Sequence, residues 1–200
     1  MEAGKPKRGR PKTLNREAVL NSAMMSYWQE GPLNVSINDI CKRTEISKPS
    51  LYREFGNEDK FKSAVLDHYF SSAFAQVFAI IHQEKSFHMV LSELIEFLFQ
   101  DRAALGLPEG CLHASMYDDH LQMGQTSAQK AVSYRDEIVT HYAKWIDRAK
   151  ADGEFSSTIE TAFAAQYLFA QITNAMAQLR RGEDRAEVRP ILELALSALK

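Results

Sequence analysis

Cysteine is scarce in this 200-residue chain: Cys41 and Cys111 are too few for a disulfide scaffold or a four-thiolate zinc site. Long apolar runs are also missing. Even the greasiest stretches carry Glu, Gln or Arg every few residues, short of the roughly 18 uninterrupted apolar residues of a membrane span, so no membrane partner is expected. Met1 to Lys12 is basic and poor in apolar residues, which predicts no secretory signal and a cytoplasmic chain. No Walker loop, dinucleotide fingerprint or nucleophile elbow occurs, so neither an enzyme nor a cofactor is expected. Internal repeats are lacking too. What is present, 45% hydrophobic and 25% charged residues, describes a globular chain able to bury one large core or two small ones.

The net charge of −2 conceals two ends of opposite sign. Residues 1–62 carry twelve Lys and Arg against eight Asp and Glu, a net +4, while the remainder carries twelve against eighteen, a net −6. The basic end is the one expected to face a polyanion. Within it Lys5, Lys7, Arg8, Arg10, Lys12 and Arg16 meet only Glu2, and Gly4, Pro6, Gly9 and Pro11 prevent regular structure. Residues 1–13 therefore read as a flexible basic arm.

Helix signals follow in close order. Asn15 is a good N-cap ahead of Val19, Ala23 and Tyr27 at helical spacing, and Gly31-Pro32 ends that helix. Ser36 opens a second, short helix with Asp39 in its first turn, running to about Thr44. Ser47 caps a third, with Pro49 in its first turn and Gly56 at its end. From Asn57 an apolar stripe through Phe61, Val65, Tyr69, Val77 and Ile81 predicts a rod of roughly 40 Å, long enough to join two domains with a boundary near residue 70. The remainder reads as helical throughout, with no strand pattern. Ser157 and Glu160 form a capping box for one late helix, and Val188 to Leu199 forms the last. Both are apolar on more than one face, so they are expected to bury a second face against another molecule, with Leu168 and Leu196 at that contact.

A short helix, a tight turn and a second short helix, preceded by a supporting helix and a basic arm, can enter a major groove. The run Ser36-Ile-Asn-Asp-Ile-Cys-Lys-Arg-Thr-Glu-Ile-Ser-Lys-Pro-Ser-Leu-Tyr-Arg-Glu-Phe55, with its Ile-Ser-(x)3-Leu-Tyr-(x)2-Phe order, resembles the DNA-binding domain of TetR-family transcriptional regulators over residues 14–70. That resemblance implies an all-α homodimer with residues 71–200 as a ligand-binding and dimerisation domain, its last two helices pairing. It also implies a repressor released from a palindromic double-stranded operator by a small-molecule effector.

For DNA contact, the resemblance places Ser47, Lys48, Pro49, Ser50 and Tyr52 at the start of the recognition helix. Lys48 and Ser50 are expected to read base edges, and Tyr52, Ser36 and Arg53 to meet phosphates. Two positions depart from the family pattern. Glu45 stands where Gly is common, requiring either a positive φ or a different turn, and Glu58 replaces a frequent phosphate-gripping Lys, leaving Lys60 or Lys62 to substitute. The Arg8-Gly9-Arg10-Pro11 core resembles an AT-hook, with Arg8 and Arg10 expected in a minor groove.

For a ligand, the aromatic residues Phe97, Tyr142, Trp145 and Tyr167 are candidates to line a cavity, with Gln171 and Asn174 as polar contacts. Cys111, beside Gly110 at a helix start, is a further candidate, though an inert buried thiol is the plainer reading, as it is for Cys41. A rival reading makes the chain an enzyme, or a metal or redox sensor built on His113, Asp118, Asp119 and His120 or on Cys111. The irregular spacing of that cluster argues for ordinary polar residues beside a loop.

Overall fold

The computed structural model describes residues 14–199. Among them are nine α-helices and no strand. The first four are α1 (Arg16–Glu30), α2 (Ile37–Thr44), α3 (Lys48–Phe55) and α4 (Glu58–Ile81). Then come α5 (Phe87–Leu98), α6 (Leu112–Asp118), α7 (Gln125–Ala151), α8 (Thr161–Arg180) and α9 (Arg185–Leu196).

The first four helices begin where their local chemistry places them. The Asn15 side chain accepts from the Ala18 N–H, Ser47 from Ser50 and Asn57 from Lys60, each satisfying a donor that the helix itself leaves open. Ser36 and Asp39 form a reciprocal capping box. Glu45 resolves the question its identity raises: it takes the left-handed conformation, φ 56° and ψ 30°, as C-cap of α2. The late Ser157–Glu160 box does not form. Helix α8 starts at Thr161 with Glu160 as an N-cap that makes no side-chain bond. Residues 156–160 are instead organised by the hydroxyls of Ser156 and Thr158, 2.8 Å apart, and by Lys150, whose ammonium donates to the Ile159 carbonyl and to Thr161 Oγ1.

Helix α4 is the spine. Its 24 residues span about 36 Å. Near its start Phe61 meets Tyr27 of α1 edge-on at 6.5 Å, and farther along Tyr69 meets Trp28 at 5.0 Å. One residue on, Phe70 stacks on Tyr134 of α7 at 3.7 Å, and the Tyr134 hydroxyl donates to Asp67. The same helix therefore packs against both α1 and α7, through aromatic pairs worth about 0.5–1.5 kcal/mol each beyond their burial. By length and composition α4 is apolar enough to cross a membrane, but its apolar face (Phe61, Val65, Leu66, Phe70, Phe74) is buried inside the protein. One continuous core runs from Val19 to Leu199.

Helices α7, α8 and α9 pack in sequence against one another. Leu168 and Leu196, expected at an intermolecular contact, lie in this core at 0% and 1% exposure. The uncovered apolar side chains of α8 and α9 are Phe163, Ile191 and Leu194, at 62%, 55% and 75%.

Candidate nucleic-acid interface and adjoining cavity

Helix α3 is held from below and open above. Leu51 and Phe55 are buried, and Phe55 meets Phe61 at 4.9 Å, fixing α3 on the start of α4. On the opposite side Ser47, Lys48, Pro49 and Arg53 are exposed, with Ser50 and Tyr52 half-buried beside them. The Lys48 ammonium lies 5.5 Å from the centre of the Tyr52 ring, and Ser47 Oγ donates to Ser50 Oγ at 2.9 Å. Arg53 reaches Ser50 at 3.4 Å. The six residues expected on the recognition helix thus share one surface.

Around this surface, other charges are already committed. Arg43 of α2 grips Glu30 of α1 with both guanidinium nitrogens and donates to Ser26, which locks α2 onto α1. Lys62 pairs with Glu58 at 3.1 Å, so of the two lysines expected to substitute for the missing phosphate contact, Lys60 stands exposed and Lys62 does not. The Ser36 hydroxyl donates to Asp39 at 2.6 Å, and a phosphate there has to displace that bond. The Asp39 carboxyl is held below its ordinary range by the Ser36 hydroxyl and backbone N–H. Arg8 and Arg10 lie outside the described residues.

Behind the helix-turn-helix lies a cavity of about 520 Å³. Met24 and Trp28 bring α1 to its wall, and Tyr69, Phe74 and Val77 bring α4. Helices α5, α7 and α8 add Phe97, Tyr142 and Phe169. Of the expected ligand contacts, Phe97, Cys111 and Tyr142 line this space. Trp145, Tyr167, Gln171 and Asn174 do not. Trp145 is fully buried and stacks on Phe87 at 4.6 Å, and the Tyr167 hydroxyl donates to the Ala195 carbonyl at 2.9 Å, tying α8 to α9. Gln171 and Asn174 lie outside the part of α8 that lines the cavity, which is Phe169, Ile172, Thr173 and Met176. Sequence reasoning also passed over Trp28, Tyr69 and Arg102, each of which lines the cavity. An arginine in a loop reads as a solvated charge, and nothing in its local sequence signals burial.

Cys111 is the N-cap of α6 and receives a hydrogen bond from the Tyr69 hydroxyl, 3.3 Å away. Burial pushes its thiol up in spite of that bond and the neighbouring N–H groups. His113 is buried, its pKa lowered to about 4 by desolvation, so it stands neutral and donates from Nε2 to the Ala131 carbonyl at 3.0 Å. His120 bonds the Tyr117 carbonyl. Among the described residues no group of His, Cys, Asp or Glu is arranged to hold a metal ion, and the His113–His120 cluster is divided between the core and a turn.

An α2-turn-α3 unit with an exposed basic and hydroxyl-bearing surface defines a helix-turn-helix DNA-binding protein. Residues 19–65 match the family model of the bacterial regulatory proteins of the tetR family. Along almost its whole length the chain is similar to the HTH-type transcriptional repressor ComR of Escherichia coli K12, 26% identical over 98% of this chain and 92% of that protein. The fold is similar to that of the TetR-family regulator CifR, solved as a cysteine mutant with 26-bp operator DNA, at a TM-score of 0.81 and 21% identity over 94% and 99% of the two chains. It is also similar to E. coli NemR in its reduced form, at 0.75 and 16% over 92% and 97%. Residues 19–65 thus carry the DNA-binding domain of tetR-family regulators, and the chain as a whole is similar to DNA-binding transcriptional repressors of that kind. ComR is a transcriptional repressor and CifR a transcriptional regulator, which favours that reading over an enzyme or a metal sensor.

Proposed function

We propose that the protein is a homodimeric repressor that binds a palindromic operator through two helix-turn-helix units and releases it when a small molecule fills the cavity. Residues 14–70 serve as the DNA-binding domain and residues 71–200 as the effector and dimerisation domain, acting in the cytoplasm. Lys48 and Ser50 read base edges, while Ser36, Ser47, Tyr52, Arg53 and Lys60 meet phosphates. Arg8 and Arg10 of the arm enter a neighbouring minor groove. The uncovered Phe163, Ile191 and Leu194 support pairing through α8 and α9.

The observation that carries the reading is the cavity wall shared by Met24 and Trp28. Both belong to α1, on which α2 is locked by Arg43, so whatever fills the cavity presses on the helix that carries the DNA-reading unit. A ligand that favours one setting of α1 and α4 changes DNA affinity by its differential binding to the two settings. ComR is a repressor by name and CifR has been solved on its operator, which supports the same assignment for this chain.

Selection of bound duplexes from a random library by the full-length protein tests this. An inverted repeat with half-site centres about one helical turn, roughly 34–36 Å, apart or a multiple of it is expected. Enrichment of single, unpaired sites would overturn the dimeric operator.

A further inference from the structure

The loop between α5 and α6 buries a charge. Arg102 is only 9% exposed, and its side chain makes no hydrogen bond or ion pair among the described residues. The two carboxylates that flank it in sequence are engaged elsewhere: Asp101 and Glu109 both pair with Arg185 of α9. The guanidinium instead rests against ring faces, 5.5 Å from the centre of Phe97 and 6.0 Å from that of Trp28. Cation–π contact compensates only part of what a guanidinium loses on leaving water.

Arg102 lines the same cavity as the two rings. The Tyr69 hydroxyl, which feels the Arg102 charge, directs its proton at Cys111. The indole N–H of Trp28 is buried and lacks an acceptor among the described residues. Two buried donor groups, the Arg102 guanidinium and the Trp28 indole N–H, therefore belong to residues in the wall of a space whose lining is mainly apolar.

We propose that the cavity takes a ring-bearing monocarboxylate, with the carboxylate gripped by Arg102 and the apolar body lodged among Tyr69, Phe74, Tyr142 and Phe169. This rests on the preceding reading of the cavity as the effector site. A guanidinium presents parallel N–H groups that match a carboxylate in bidentate fashion. One cation neutralises one negative charge, which favours a monoanion over a phosphate dianion that would leave uncompensated charge beside apolar walls. The aromatic lining favours rings for the body. Because the same guanidinium covers Trp28, the bound anion is anchored against α1.

Calorimetric titration of the full chain with 2-naphthoate and with its neutral isostere 2-naphthamide tests the proposal. The wild type is expected to bind naphthoate at least tenfold more tightly than naphthamide. Arg102→Met, which keeps the length and apolar stem, should abolish that preference while still binding naphthamide, and Arg102→Lys should restore part of it. Equal affinity for the two probes in the wild type, or a preference that survives Arg102→Met, would overturn the carboxylate assignment while leaving the effector cavity supported by naphthamide binding. Failure of both probes to bind the wild type at millimolar concentration would overturn the cavity reading together with the proposal. If Arg102→Met does not fold, Arg102→Lys decides: a naphthoate preference reduced yet present supports the ion pair, and an unchanged one contradicts it.

Discussion

Asp59 caps a helix that begins 66 residues after it: its carboxylate accepts from the backbone N–H of Ser127 at 2.9 Å and from the Ser127 hydroxyl at 2.6 Å. The Thr126 N–H adds a third bond at 2.7 Å. The N-cap of α7 is Gly124, which has no side chain to do this, and a Cβ at that position would stand 2.3 Å from Asp59 Cγ. Glycine at 124 therefore makes room for a carboxylate delivered from the first turn of α4. The start of the helix next to the DNA-reading unit is in this way fastened to the longest helix of the C-terminal half.

Asp59→Ala should destabilise the protein by about 0.5–2 kcal/mol, the usual cost of losing a cap. Burial opposes ionisation of Asp59, but the Ser127 and Thr126 bonds outweigh it and hold the carboxyl at about 2, below the ordinary 3.8. A lowered folded-state value stabilises above pH 3.8 and fades as pH falls through about 2. Urea melts of wild type and variant should therefore differ at neutral pH and converge on acidification across that window. A constant difference at every pH would show that the carboxylate charge is irrelevant.

Replacing Glu45 by Gly should raise stability by about 1 kcal/mol. A side chain at φ 56° carries a left-handed penalty that glycine avoids, partly offset by the greater freedom of an unfolded glycine. Thermal melting checks it, and a lower melting temperature would mean that the interactions of the Glu45 side chain outweigh the backbone cost.

Phe163→Lys and Leu194→Lys are expected to leave folding intact and weaken self-association at least tenfold in analytical ultracentrifugation, because both side chains are uncovered within one chain. Leu168→Arg and Leu196→Arg should instead unfold the protein, since each places an unpaired charge in the core. A wild type that sediments as a monomer at micromolar concentration would contradict the dimeric reading.

Removing residues 1–12 deletes five basic residues and one acidic residue. Counterion release then predicts weaker DNA binding, a shallower salt dependence and loss of any preference for A·T-rich flanks. An unchanged slope would show that the arm does not touch DNA.

How much of this was legible in the sequence differs between the two halves. Helices α1 to α4 announce themselves because their ends are written in local chemistry, with Asn15, Ser36, Ser47 and Asn57 as caps and Gly31 and Gly56 as stops. The cavity is a tertiary object. Helix α8 is apolar around most of its circumference, so periodicity cannot select Thr173 and Met176 over Gln171 and Asn174 as its inner wall. The Ser157–Glu160 pattern satisfies a local rule, yet Lys150 claims the adjoining carbonyl and hydroxyl, and helix α8 starts one residue beyond it. Arg102 is buried by rings from α1 and α5, 74 and 5 residues away, and only the fold brings them together.

Recognition of DNA through α3 is tested most directly by binding isotherms, at fixed salt, of the wild type, Lys48→Ala and Tyr52→Phe on a selected duplex and on a scrambled one. Lys48→Ala should cost about 1–3 kcal/mol on the selected duplex and reduce the preference over the scrambled one, whereas Tyr52→Phe should weaken both alike. Identical isotherms for all three proteins would remove α3 from the DNA and contradict the assignment.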